Sequence, residues 1–120
     1  MGNAKPTPRP EANDRGDLLR GALEMLILRT IEEGAKHGYA ITESILAASE
    51  EVLDIDEGSM YPALYRMQKR GWVEAEWGRS ENNRRAKFYA ITDEGHRQLQ
   101  SAAQRWSRFS EAVERVMEPV

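Results

Sequence analysis

The chain has 120 residues, enough for one domain with a modest core of its own. It has no cysteine, which excludes a disulfide framework, a thiolate nucleophile and cysteine-ligated zinc. The net charge of −3 does not by itself point to nucleic acid, but the cations are unevenly spread: residues 58–90 hold seven of them against three acids.

Residues 1–16 contain Pro6, Pro8 and Pro10 and no apolar period, and read as a disordered tail. The first helix is expected from Leu18 to Glu33, with Leu19, Leu23, Leu26, Ile27 and Ile31 on one broad apolar face. Gly34 suits the position after its end, where glycine accepts a positive φ. His37-Gly38-Tyr39 opens a second helix that runs to about Ala48, with Ile41, Ile45 and Leu46 turned inward. His37 needs no function there. Tyr39 stands near a helix N-terminus, where free N–H groups and the helix dipole favour a phosphate. Glu50 to Ile55 is short and acidic, and Val52, Leu53 and Ile55 read as a minimal strand.

Asp56 is a candidate N-cap for the third helix, which ends at Gly71. Met60, Leu64 and Met67 share its apolar face. Ser59, Tyr61, Pro62, Tyr65, Arg66 and Lys69 fall on the opposite half of the wheel. Two tyrosines, two cations and a hydroxyl without a carboxylate make a surface suited to an anion. An ordinary solvated helix face would mix both signs of charge. Trp72 to Trp77 alternates as a strand, Gly78 to Arg85 is a polar turn, and Ala86 to Ile91 is the return strand. The ribbon puts Arg84 and Arg85 at its tip or on its descending side.

Thr92-Asp93-Glu94 starts a last helix that reaches about Met117. Leu99, Trp106 and Val113 repeat every seven residues, and Ala102, Phe109 and Val116 form a parallel row three positions on. So long a helix overshoots the core of so small a domain. Its seam calls for a second copy of the chain, or else folds back on the first helix. No phosphate-binding glycine loop, HExxH motif or nucleophile–base pairing occurs, so the chain offers an enzyme reading nothing to rest on, and no cofactor or metal is expected. No run is long enough to span a membrane, and the expected location is cytoplasmic.

Two helices, a short strand, a third helix, a two-stranded wing and a long helix make a mostly α winged helix-turn-helix with a small β-wing. The strings LEMLILRTIEEGAKHGYAI, EGSMYPALYRMQKRGWVEAEW and ENNRRAKFYAITDEG resemble the PadR family of bacterial transcriptional regulators. GSMYPAL and NNRRAKFYAIT are the most specific parts, and the likeness covers Leu19 to about Leu99. One helix after the wing matches the family's short branch. The resemblance implies residues 17–91 as a DNA-binding domain and residues 92–118 as a dimerisation helix. It implies a homodimer that acts on an inverted-repeat operator, usually as a repressor. In some short-branch members a pore between the paired helices admits planar aromatic compounds, and QRWSRF places Trp106 at the pore-lining tryptophan.

On this reading the third helix enters the major groove of double-stranded DNA. Ser59, Tyr61 and Tyr65 would reach base edges or phosphates, Pro62 would pack on a sugar or thymine methyl, and Arg66 and Lys69 would hold the backbone. Arg84, Arg85 and Lys87 would lie along the wing against phosphates or in the minor groove, while Tyr39 clamps a phosphate. Asn82 and Asn83 would build the turn. The dimer seam would be Leu99, Ala102, Trp106, Phe109, Val113 and Val116. A protein-interaction module, or a ligand-binding dimer without sequence-specific DNA binding, is the competing reading, because a winged helix does not fix function.

Overall fold

The computed structural model describes residues 11–119, with side chains from Gly21 onward. In chain order the elements are α1 (Glu11–Ile31), β1 (Lys36–His37), α2 (Gly38–Ala48), α3 (Glu57–Lys69), β2 (Val73–Arg79), β3 (Arg85–Ile91) and α4 (Asp93–Met117). Three antiparallel strands form one small sheet in the order β1-β3-β2.

The core is made where three apolar helix faces meet the base of the wing. α1 contributes Leu23, Ile27, Leu28 and Ile31; α2 contributes Ile41 and Ile45. Met60, Ala63, Leu64 and Met67 of α3 are wholly enclosed. Val73 and Tyr89 close the core from the wing, and Leu99 closes it from α4. The periodicity of α3 therefore fixes which of its faces is left for a partner.

The starts of α2, α3 and α4 are each fixed by a capping side chain. His37 Nδ1 accepts the Ala40 N–H at 3.2 Å and caps α2. Asp56 Oδ1 accepts the Ser59 N–H at 2.8 Å and caps α3. Thr92 Oγ1 accepts from Gly95 N and donates toward the Gly71 and Trp72 carbonyls, which ties α4 to the α3–β2 junction. Gly95 makes this junction possible. A Cβ there would fall far inside van der Waals contact with the Trp72 carbonyl oxygen.

The structure departs from the sequence-based expectations in several places. α1 already runs from Glu11, so the expected end of the tail at residue 16 falls inside a helix; residues 1–10 lie outside the described residues. Glu11-Ala12-Asn13-Asp14-Arg15 has no apolar period, yet it mixes good and middling helix formers directly after Pro10, which suits a helix start. The strand expected within residues 52–55 is absent. Those residues form an exposed connection, because Glu50 and Glu51 both take left-handed φ (54° and 69°) and turn the chain away from any strand partner. The pairing position beside β3 is taken instead by Lys36 and His37. Gly78 stays in β2 rather than in the turn, since its missing side chain leaves room for the Phe88 ring 3.0 Å from where a Cβ would stand. The turn proper is residues 80–84, closed by Ser80 N donating to Arg84 O at 2.8 Å, with Asn83 at φ 61°.

Candidate nucleic-acid interface

The antiparallel register puts Val73, Ala75, Trp77 and Arg79 opposite Ile91, Tyr89, Lys87 and Arg85 on one face of the wing. Near its base this face is core. Toward the tip it becomes Trp77 with three cations. The N-terminus of α2 and Tyr61 of α3 stand across from it. Together they wall an open concavity of about 920 Å³.

The concavity gathers Tyr39, Tyr61, Arg84, Arg85 and Lys87, which lie in three separate stretches of sequence. Gly38 lets Tyr61 into place: a Cβ on Gly38 would stand 2.7 Å from the Tyr61 ring. Tyr61 is half-exposed, with its ring on the α2 N-terminus; burial, and secondarily the nearness of Tyr61, raises the pKa of Tyr89. Tyr39 is open to solvent, and hydrogen bonding to Glu43 and the charge of that carboxylate raise its pKa. Glu43 and Glu81 are the two acids at the rim, and Glu81 lies 3.8 Å from His37 Nε2. Among the described residues no carboxylate comes within ion-pair distance of Arg84, Arg85 or Lys87.

The rest of the expected α3 set is divided. Pro62, Tyr65 and Lys69 are exposed beside the concavity, with Lys69 Nζ 5.5 Å from the Tyr65 ring centroid. Ser59 is exposed at the helix start and borders a different cavity, described below. Arg66 leaves the outer face. Its Nε donates to Glu24 Oε2 of α1 at 3.3 Å, and Arg70 stands 3.7 Å from the same oxygen. The reason is electrostatic: Glu24 is among the buried residues, and a buried carboxylate recruits the nearest cations. Glu57, in the first turn, puts one acid on a helix whose expected outer face carries none. Three contributors escaped the sequence reading. Glu24 sits among apolar residues on α1 with nothing to mark its partner. His37 is a cap only because β1 holds it in place. Trp77 had a signal: an indole at the wing end of an alternating strand, too far from the core to fill it.

α4 has an inner and an outer half. Leu99, expected in the dimer seam, is buried in the core of the chain itself, because it lies only two turns from the helix start and still faces α1 and the wing. Ala102 is half-buried where Trp106 and Phe109 cross Gly21, Ala22 and Met25 of α1. From there outward the row is half-exposed or more: Trp106, Phe109, Val113 and Val116 are 44, 53, 42 and 82% exposed. Trp106 also helps to wall a cavity of about 470 Å³ with Leu23, Met25 and Leu26 of α1, Leu53 to Asp56 of the connection, and Ser59. No described helix is long and apolar enough to cross a membrane.

Comparison with known proteins adds a family. The sequence pattern of the PadR-like transcriptional regulator family matches residues 27–101. An uncharacterised protein of Lysinibacillus sphaericus is 31% identical over 104 residues, covering 87% of this chain and 95% of the relative. A PadR-like transcriptional regulator from Bacillus cereus is 32% identical, with a TM-score of 0.73 over 87% of this chain and 99% of that one. A transcriptional regulator from Clostridium thermocellum is 27% identical, with a TM-score of 0.76 over 85% and 99% of the two chains.

Proposed function

This chain belongs to the PadR-like family of transcriptional regulators, which are not enzymes, and on that premise we propose that it represses transcription in the cytoplasm as a homodimer on an inverted-repeat operator. One observation carries the reading. Tyr39, Tyr61, Arg84, Arg85 and Lys87 converge on one concavity, and its cations have no acidic partner within ion-pair distance among the described residues. Such a surface is left for an external polyanion.

In this reading the exposed side of α3 enters the major groove with Ser59, Tyr61, Pro62 and Tyr65 leading, and Lys69 on a phosphate. Arg84, Arg85 and Lys87 follow the backbone alongside, and the Tyr39 hydroxyl, turned from Glu43, donates to a phosphate near the α2 N-terminus. Arg66 is set aside, since it is held by Glu24. A second copy covers the bare outer half of α4, so that Trp106, Phe109, Val113 and Val116 pair across a two-fold axis. The two recognition helices then stand about 34 Å apart, one turn of DNA. The cavity beside Trp106 has an aromatic wall, aliphatic walls and the carboxyls of Asp54 and Asp56, which suits a planar aromatic effector, above all a cationic one. It abuts Asp56 and Ser59, the cap of α3, so an occupant with unequal affinity for two helix positions would bias DNA binding.

The test is selection of bound duplexes from a random pool, followed by a salt series on the winner. An inverted-repeat motif is expected. Arg84→Ala should flatten the slope of log affinity against log salt by about 0.9, the value of one neutralised phosphate. Tyr65→Ala should weaken the selected site more than random duplex. Retention of no duplex by the parent chain would refute the reading.

A further inference from the structure

Trp77 is 55% exposed, a poor position for an indole that serves only packing. Two cations of β3 lie over it. The Arg85 guanidinium carbon is 4.3 Å from the ring centroid, and Lys87 Nζ is 5.7 Å from it. The register explains both contacts. Lys87 is directly opposite Trp77, and Arg85 is its diagonal neighbour on the same face.

The partner's chemistry matters. On α4, Arg97 is held by Glu94 at 2.7 Å, and on α1, Arg29 is held by Glu32 at 3.4 Å. A carboxylate orients a cation and cancels its field. An indole orients a cation through its ring quadrupole and leaves the net charge in place. Long side chains also lose rotamer freedom when a partner immobilises them. An arginine already resting on a ring loses less.

We propose that Trp77 is a positioning residue of the DNA interface: a neutral platform that pre-orders Arg85 and Lys87 toward phosphate without neutralising them. The role rests on the DNA-binding reading. It differs from direct contact in a measurable way. Removing a phosphate-binding cation lowers both affinity and salt slope. Removing the platform should lower affinity while the same cations still reach the same phosphates, so the slope should hold.

The experiment uses the full chain and the selected duplex, with affinity read by fluorescence anisotropy over a salt series. Trp77→Ala is expected to weaken binding about fivefold, the scale of one or two exposed cation–π contacts, with the slope unchanged. Trp77→Phe should restore part of the loss. In an Arg85→Ala, Lys87→Ala background, Trp77→Ala should cost nothing further. In the free protein the Arg85 side-chain protons should show an upfield ring-current shift that Trp77→Ala abolishes, with the thermal midpoint kept. A full-size penalty in the double-alanine background, an absent ring-current shift, or a slope that collapses with Trp77→Ala would each overturn the positioning role. A parent chain that binds duplex while Trp77→Ala binds equally well refutes that role alone. A parent chain that binds no duplex refutes the DNA reading, and the role with it.

Discussion

Replacing Arg66 by alanine removes the nearer of the two guanidinium groups that neutralise Glu24. The Glu24 side chain is 12% exposed and that of Arg66 is 29% exposed, with 3.3 Å between Nε and Oε2. Losing one partner of a fully buried pair costs about 3–5 kcal/mol, whereas an exposed pair is worth about 0–1 kcal/mol. This pair lies between those limits, and Arg70 remains 3.7 Å from the same oxygen. The expected cost is therefore about 1.5–3 kcal/mol, a fall of roughly 5–15 °C in the thermal midpoint for a chain of this size. Far-ultraviolet circular dichroism at fixed protein concentration measures it, because a dimer's midpoint moves with concentration. Glu24→Leu combined with Arg66→Met should recover much of the loss, since an apolar pair leaves no charge unpaired. The DNA salt slope of Arg66→Ala should equal that of the parent. An unchanged midpoint together with a slope lower by about 0.9 would refute the reasoning, for it would put Arg66 on a phosphate and leave Glu24 without need of it.

Gly95→Ala forces a methyl against the Trp72 carbonyl and should destabilise by about 1–3 kcal/mol, read as a lower denaturation midpoint with an unchanged m-value. Val113→Asp would place a charge in the bare outer row of α4, and light scattering at micromolar concentration should show dimer for the parent and monomer or aggregate for the variant. A parent that scatters as a monomer removes the seam. Planar cationic dyes should quench tryptophan emission in the parent, and Trp106→Ala should abolish most of that binding; dye affinity that survives the substitution would take Trp106 out of the cavity wall.

What the sequence showed and what it hid follow from the range of the interactions involved. Met60, Leu64 and Met67 were legible because one helical period fixes their common face, and the enclosed core matches it. The caps Asp56 and Thr92 were legible because a cap bonds only three residues away. Long-range partners were not. Arg66 belongs to the outer half of the helical wheel, and only the fold brings Glu24, 42 positions earlier, to its guanidinium. Leu99 keeps the heptad period of the outer helix, yet the domain core reaches it first. Periodicity says which residues share a face, and it does not say where along the helix the partner on that face changes. The missing strand at 52–55 is a local failure of another kind. Apolar side chains were visible there, but two consecutive left-handed glutamates were not, since glycine and asparagine announce that conformation in sequence and glutamate does not.

The charge pattern has its own logic. Among the described residues the four cation–π contacts all lie between Tyr65 and Lys87: Lys69 on Tyr65, Arg70 on Trp72, and Arg85 and Lys87 on Trp77. The ion pairs of Arg29 and Arg97 lie on α1 and α4, away from the concavity. Arg70 belongs to both kinds, since it also reaches Glu24 at the back of α3. On the proposed reading, acids hold Arg29 and Arg97 where the molecule needs only stability, and Trp77 holds Arg85 and Lys87 where it would also attract. An acidic chain of net charge −3 can then present a positive groove, because Arg84, Arg85 and Lys87 line it against Glu43 and Glu81. The excess acid elsewhere has a use in the same scheme. On the proposed reading it would repel the polyanion elsewhere and steer an encounter with DNA toward the wing and the outer side of α3. Such steering weakens as salt rises, so the association rate of this acidic protein with DNA should fall with ionic strength as it does for a basic one.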